Sequence, residues 1–142
     1  MTNYEFAWIV AIIVFGIKHF IADFLLQTPY MLGKFYAPPH CYKPLSAHCS
    51  VHVVFALMLF SVPMSLHPSA MSDYWGLVIS LLAYEFVAHF LVDITKSQLT
   101  RIKNLRPADK MFWVLIGIDQ FLHLVLSIPL IYIMAEMIEK CL

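Results

Sequence analysis

Four long apolar stretches alternate with three polar connections along this chain. The stretches cover residues 6–26, 44–62, about 73–102 and 107–138. At ~1.5 Å per residue, a helix over each stretch is long enough to cross a hydrocarbon core of ~30 Å. Pro29 and Pro63 mark two of the ends, because the residue before a proline disfavours the α conformation, and Pro129 is expected to kink the fourth helix. The pattern predicts an all-α polytopic membrane protein, with four transmembrane helices in an up-and-down bundle that forms a single domain over residues 1–142.

Each apolar stretch also contains two residues of the kinds that bind metal ions, spaced four apart. On a helix this spacing places both side chains on one face. A charged side chain inside a membrane costs roughly 2.5–10 kcal/mol, so these faces are expected to point at one another within the bundle. The pairs are His19 with Asp23, His48 with His52, His89 with Asp93, and Asp119 with His123.

Composition agrees with a membrane protein, and the distribution of charge orients it. Hydrophobic residues make up 61% of the chain, against roughly 45–50% in soluble domains. The formal net charge is zero, which gives no indication of a nucleic-acid partner, and an odd number of cysteines gives no disulfide framework. Lysine and arginine concentrate in the first and third connections. The positive-inside rule therefore places those connections in the cytoplasm and both termini on the other side of the inner (plasma) membrane. All four pairs then lie near the cytoplasmic side, at one depth.

Imidazole and carboxylate groups are the usual ligands of zinc, manganese and iron, and four-helix bundles build dinuclear sites from such pairs. We therefore expect the eight side chains to form one metal site between the helices. It should hold two divalent ions, with zinc as the first choice and manganese or iron as alternatives. Two divalent cations and a bridging hydroxide would balance the three aspartates, and a neutral site can lie below a membrane surface. The competing interpretation is a network of interhelical hydrogen bonds without metal.

Two charged residues near these pairs are candidates for catalysis. Glu85 lies one turn before His89 on the same face, where it could act as a general base, bind metal, or hydrogen-bond the imidazole. Lys96 lies at the cytoplasmic edge beside Asp93, and either it or Lys34 in the first connection could neutralise an anionic substrate. Both lysines could instead anchor the protein at the membrane surface.

Three further polar residues receive minor roles. Lys18 lies about two turns from the end of the first stretch and is expected to extend its ammonium group to the nearer interface. Gln27 and Gln120 are candidate hydrogen-bond donors to the metal ligands.

Four ordered motifs resemble those of a small bacterial and phage membrane family of unknown function. The motifs are His19-Phe-Ile-Ala-Asp23-Phe-Leu-Leu-Gln27 followed by Lys34, then His48-xxx-His52, Glu85-xxx-His89-xxx-Asp93-xx-Lys96 and Asp119-Gln120-xx-His123. They cover nearly the whole chain. That family is similar in turn to the inner-membrane proteins described as membrane-bound metal-dependent hydrolases, which resemble zinc-dependent phospholipase C and P1-type nucleases. The resemblance implies metal-assisted phosphoester hydrolysis.

The sequence thus predicts a membrane-embedded, metal-dependent hydrolase that cleaves a phosphoester from the cytoplasmic side. A lipid or isoprenoid phosphate is a natural substrate, because its head group would reach the depth of the site. A second interpretation is redox chemistry, with haem or a di-iron centre held by the histidines. A third is divalent-metal or proton transport, since intramembrane His and Asp residues also mark ion pathways. The lipid bilayer is the expected partner, nucleic acid is not, and homo-oligomers are compatible with the sequence.

Overall fold

The computed structural model describes residues 2–142, and every regular element in that range is helical. The helices are α1 Asn3–Phe20, α2 Tyr42–Leu66, α3 Pro68–Met71, α4 Trp75–Ile102, α5 Lys110–Leu126 and α6 Ile128–Glu139. A π-helical turn over Ile21–Leu25 prolongs α1, and 3₁₀ turns cover Met31–Phe35 and Ser72–Tyr74. The predicted all-α class is confirmed, and only Met1 of the predicted domain lies outside the described residues.

Three helical segments are long and apolar enough to cross a membrane, namely Asn3–Leu25, Tyr42–Leu66 and Ser72–Ile102. The pair α5 and α6 provides a fourth if its 40° bend is counted within one span. Only 22–33% of the residues in the most apolar windows of the three segments are buried. Their outer faces are therefore apolar, which is compatible with contact with lipid. The architecture is compatible with a multi-pass membrane protein.

Contacts at the chain's end show how far the bent pair α5–α6 extends. The Lys140 ammonium lies 4.7 Å from the centre of the Tyr74 ring, so α6 ends beside the start of α4. The ring of Tyr132 contacts that of Trp8, with centroids 5.9 Å apart, near the start of α1. Since α5 begins after the connection that follows α4, the pair runs from one end of the bundle to the other.

The interior divides into an apolar half and a polar half. The apolar core combines the first half of α1, the second half of α2, the start of α4 and all of α6. Ala7 and Ala11 are fully buried on α1, where their small side chains allow α6 to pack closely. The polar half lies at the opposite end and contains the predicted metal ligands.

Two helix ends differ from the predictions. Pro63 lies inside α2 rather than ending it. Proline lacks one backbone N–H donor, so one helical hydrogen bond is lost there. The residues that follow still donate theirs, and His67 N–H donates to Pro63 O at 3.1 Å. Pro107 precedes α5 instead of opening it, and Asp109 occupies the N-cap position with extended backbone.

The kink expected at Pro129 is confirmed as a break between α5 and α6 at Ser127. Pro129 falls in the first turn of α6, where the missing N–H has no helical partner to lose.

The first connection is folded against the bundle rather than irregular. Its 3₁₀ turn Met31–Phe35 packs on α2 and α4, and Gln98 Nε2 donates to Tyr36 O at 3.0 Å. Gly33 makes this approach possible, since a Cβ at its position would lie 2.8 Å from Pro44 Cγ. The connection therefore covers one end of the polar half.

Candidate metal centre

The structure brings all eight predicted ligand residues to the polar half of the bundle. Four helical segments supply them: α1 with its π turn, α2, α4 and α5. His48, His52, His89, Asp93, Asp119 and His123 are buried, and His19 and Asp23 are half-buried. A π-helical turn is often found at functional sites, and here it carries Asp23 next to His19.

Five imidazole rings from four helices contact one another around His89. The His89 centroid lies 3.8 Å from that of His52 and 4.0 Å from that of His123. The rings of His48 and His19 are 5.3 and 5.9 Å away. Neutral imidazoles can share one small volume in this way, whereas five imidazolium ions would repel one another.

Asp23 forms one lobe of the cluster. Its Oδ1 lies 3.0 Å from His52 Nε2 and 3.3 Å from His48 Nε2. Its Oδ2 lies 3.1 Å from His19 Nε2. Gln120 Nε2 donates to the same oxygen at 3.3 Å, so one of the two predicted amide donors does contact a candidate ligand.

Asp93 forms the second lobe, and His48 joins the two. His48 Nε2 lies 3.3 Å from Asp93 Oδ2 as well as near Asp23. His123 Nε2 lies 3.5 Å from Asp93 Oδ1 and 3.5 Å from Asp119 Oδ1. The polar atoms therefore form two adjoining lobes rather than isolated pairs.

Within these lobes, two sets of side chains have the geometry of a metal site. One set is Asp23, His48, His52 and His89, and the other is His89, Asp93 and His123; in each, candidate ligand atoms lie within 4.8 Å of one another. Ligands bound at 2.0–2.2 Å in a tetrahedron are separated by about 3.3–3.6 Å, close to the distances found around Asp23 and Asp93. These groups could hold a metal ion.

His19 and Asp119 are not members of either set. They adjoin the two sets instead, His19 against Asp23 and Asp119 against His123. The structure therefore gathers eight residues, of which six form the potential ligand sets.

Many of these polar atoms have no hydrogen-bond partner within residues 2–142, although they are buried. They are both ring nitrogens of His48, Nδ1 of His52, Nε2 of His19, His89 and His123, and one oxygen each of Glu85 and Asp119. Several of these atoms lie close to a carboxylate oxygen without a hydrogen-bonding angle. Nitrogen and oxygen atoms that converge in this manner could serve as ligands of a cation.

Three lysines pair with carboxylates of the cluster. Lys34 Nζ lies 2.7 Å from Asp93 Oδ2, and Lys96 Nζ lies 2.8 Å from Asp119 Oδ2. Lys18 pairs with Glu85. The expectation that Lys18 extends to the membrane interface is wrong, since this side chain is 4% exposed and its ammonium finds a carboxylate on α4 instead.

The lysines also correct the charge count made from the sequence. Asp23, Glu85, Asp93 and Asp119 contribute four carboxylates, and the three lysines contribute three ammonium groups. With neutral imidazoles, the cluster carries one negative charge instead of three. The signal for Lys18 was present in the sequence, because a lysine deep in an apolar span requires a partner. From the sequence, Lys34 is a candidate for binding an anionic substrate, but nothing there indicated that it would pair with Asp93.

Glu85 and Lys96, the two predicted catalytic residues, lie on different sides of the cluster. Glu85 faces a cleft that it shares with Lys18, His19, His89 and His123, and its Oε2 is unpartnered. Lys96 faces a second, mostly apolar cleft between α4 and α5 with Asp119 at its base. Their catalytic roles stay predictions.

The model of a family described as "Protein of unknown function (DUF3307)" matches residues 11–141, so the chain belongs to this family. No curated protein and no solved structure matches the chain significantly. The similarity to metal-dependent hydrolases noted from the motifs stays a prediction.

Proposed function

We propose that this DUF3307 protein is a membrane-embedded hydrolase that holds two divalent metal ions between its helices and cleaves a phosphoester. We further propose a four-span, up-and-down bundle in the inner membrane with both termini on the non-cytoplasmic side. The contact of Lys140 with Tyr74 supports four spans, because it brings the end of α6 to the end of the bundle where α4 begins. The lysines and arginines of the first and third connections support the orientation.

One observation carries the metal proposal. Six His and Asp side chains from four helical segments converge in two sets that share His89, with candidate ligand atoms within 4.8 Å in each set. A buried polar atom without a partner costs about 1–3 kcal/mol, and six imidazole nitrogens are in that state within the described residues. Metal coordination would remove much of this cost. Zinc suits the nitrogen-rich set, and manganese or iron would accept the same ligands.

The charge of the cluster supports a phosphate substrate. Two divalent cations added to one negative charge leave three positive charges at the site. A phosphate monoester dianion would reduce that excess to one. An uncharged ester would leave the excess uncompensated in a site shielded from water, where unpaired charge is costly.

The proposed reaction is the attack of water on phosphorus. Metal ions held by the two ligand sets would supply an activated water, with a pKa near 7, and a positive charge for a phosphoryl oxygen. Glu85 accepts the proton of the attacking water through its free oxygen, the bond from phosphorus to the ester oxygen breaks, and the proton passes to the departing alcohol. The products are inorganic phosphate and an alcohol. Lys18 holds Glu85 towards the cleft through their ion pair.

Lys34 and Lys96 act through the aspartates they contact. Lys34 fixes Asp93 from the first connection, and Lys96 lies between Asp119 at 2.8 Å and Asp93 at 3.8 Å. These contacts orient the carboxylates and reduce their mutual repulsion. Lys96 is thus better placed to position Asp119 than to bind the substrate in the cleft of Glu85.

The packing of the rings argues against the haem alternative. His89 contacts His52 and His123 at centroid distances of 3.8 and 4.0 Å, which leaves no space for a porphyrin between them. A di-iron centre would use the same ligands as the proposed hydrolase site, and its visible absorption after aerobic loading with iron would reveal it.

Phosphate release tests the proposal directly. Protein purified without a histidine tag is loaded separately with Zn²⁺, Mn²⁺ or Fe²⁺ and offered p-nitrophenyl phosphate and phosphatidic acid in detergent. We expect metal-dependent release of phosphate from at least one of them, abolished in His48→Ala and retained in His67→Ala, a control in the second connection. Absence of release from both substrates at full metal occupancy would overturn the hydrolase proposal.

A further inference from the structure

We propose that the substrate is a lipid phosphomonoester that enters the site sideways from the bilayer, with its hydrocarbon chain in the cleft between α1 and the α5–α6 break. This inference rests on the proposed hydrolase and names its substrate class and route of entry.

The cytoplasmic end of the site is closed by the first connection. The 3₁₀ turn Met31–Phe35 packs on α2 and α4, and Lys34 reaches inward to Asp93 with 3% of its surface exposed. Gly33 lies against Pro44 with no space for a Cβ. A water-soluble substrate therefore has no direct path along the bundle axis from that side.

The cleft that does reach the cluster is polar at one end and apolar at the other. Its polar end is lined by Lys18, His19, Glu85, His89 and His123. Its apolar walls come from α1, the end of α5 and the start of α6, and include Ile12, Phe15, Leu124, Leu130 and Ile131. The volume is about 120 Å³, well above the ~10–15 Å³ required by one water. This distribution matches an amphiphile with an anionic head.

The cleft opens on the outer, apolar surface of the bundle. Ile12 on α1 is 50% exposed and Leu124 on α5 is 58% exposed. Gly16 also lines the cleft. It has no side chain to fill the opening, and no atom of a neighbouring element lies within 4 Å of the position that its Cβ would take. Gly16 therefore leaves space for a hydrocarbon chain at this point in the wall of the cleft.

The polar end supplies groups that recognise a phosphate. His89 and His123 are 5% and 6% exposed, and as ligands they would place the proposed metal ions at this end of the cleft, within reach of a phosphate oxygen. The Lys18 ammonium adds a cation, and Gln120 adds an amide. A cation and an amide at the end of an apolar cleft are groups that an alkyl chain alone would not require.

The direction of the cleft fits a lipid of the cytoplasmic leaflet. Glu85 and Lys18 lie one turn or less from His89 and His19, on the side away from the first connection. Leu130 and Ile131 belong to the apolar core in the other half of the bundle. A phosphate at the imidazoles thus directs its chain towards the middle of the membrane, as in a lipid bilayer.

Photolabelling in vesicles tests this route without requiring turnover. The probe is a phosphatidic acid with a diazirine close to the ester group of one acyl chain, and the comparison probe is the diacylglycerol with the same chain. We expect phosphatidic acid adducts to concentrate on α1 and on residues 124–131, and diacylglycerol adducts to be spread over the outer surface. Gly16→Phe places a ring in the opening of the cleft and should reduce the cleft adducts at least fivefold. Gly76→Phe, which lies outside the cleft, should not.

Several results would overturn the inference. They are adducts spread evenly over all helices, equal cleft labelling by diacylglycerol, or cleft labelling unchanged in Gly16→Phe. Unchanged metal content and an unchanged melting temperature in Gly16→Phe would show that the variant is folded. Cleft labelling without hydrolysis of any ester would reject the hydrolase and keep the lipid-phosphate site. Hydrolysis of the soluble ester without cleft labelling would reject only the lipid route.

Discussion

At the scale of single residues, His89 gives the strongest support for the proposed metal site. It is buried, contacts two other imidazoles at about the van der Waals distance, and has no hydrogen-bond partner at Nε2 in the described part of the chain. A histidine retained only for structure would be expected to donate and accept hydrogen bonds. The eight residues could be found from sequence because i,i+4 spacing survives any moderate shift of a helix end. The pairing of Lys34 with Asp93 could not, because it depends on a turn whose geometry is set by Gly33 and Pro44.

Substitutions at Asp93 and Glu85 should separate metal binding from catalysis. Asp93→Asn removes a candidate ligand charge and is expected to lower metal content and phosphate release together. Glu85→Gln should retain metal, while its rate falls by the ~10²–10⁴-fold typical of general-base loss. Metal analysis and phosphate release on the same preparations measure both effects.

Matched variants control for stability in this comparison. Asp93→Asn leaves Lys34 buried without its carboxylate, so Asp93→Asn with Lys34→Met removes the pair together and should give the same loss of metal. Asp73→Asn and Glu139→Gln are exposed controls. Full activity in the Asp93 variants would reject the hydrolase mechanism, and loss of metal in Glu85→Gln would make Glu85 a ligand or a support of His89 rather than a base.

At the scale of elements, the first connection and the π turn determine the shape of the site. The apolar pattern along the sequence predicts where the helices occur, because it reflects which side chains are buried and how thick the hydrocarbon core is. It does not predict a π turn, because one extra residue in a turn leaves the apolar pattern almost unchanged. Proline was a reliable signal at Pro129, which lies just beyond the break, but not at Pro63, where the last turn of α2 keeps its remaining hydrogen bonds.

Docking of the first connection should depend on Gly33. Gly33→Ala places a Cβ 2.8 Å from Pro44 Cγ, and overpacking of this kind costs about 1–3 kcal/mol. The melting temperature in detergent should therefore fall. Gly76→Ala is the matched control, since its Cβ meets no atom within 4 Å and alanine favours a helix by about 1 kcal/mol over glycine. Equal stability of Gly33→Ala and the wild type would show that the connection is not held against α2.

At the scale of the whole molecule, the number of membrane crossings in the proposed topology depends on the bent pair α5–α6. A single broken span places the C-terminus on the same side as the N-terminus, whereas a re-entrant pair would return it to the cytoplasm. We expect alkaline phosphatase fused after Leu142 to be active and green fluorescent protein at the same position to be dark. The same fusions after Lys103, in the third connection, should give the opposite results. Cytoplasmic reporter signals at Leu142 would refute the four-span topology.

The number of metal ions bound per chain tests the central claim most directly. The account predicts about two divalent ions per chain in protein purified without a histidine tag and measured by elemental analysis, and a marked reduction in His89→Ala, whose side chain belongs to both ligand sets. His67→Ala should bind as much metal as the wild type. A wild-type protein that binds no stoichiometric metal, even after incubation with Zn²⁺, Mn²⁺ or Fe²⁺, would contradict the account and leave the histidines as a hydrogen-bonded packing cluster.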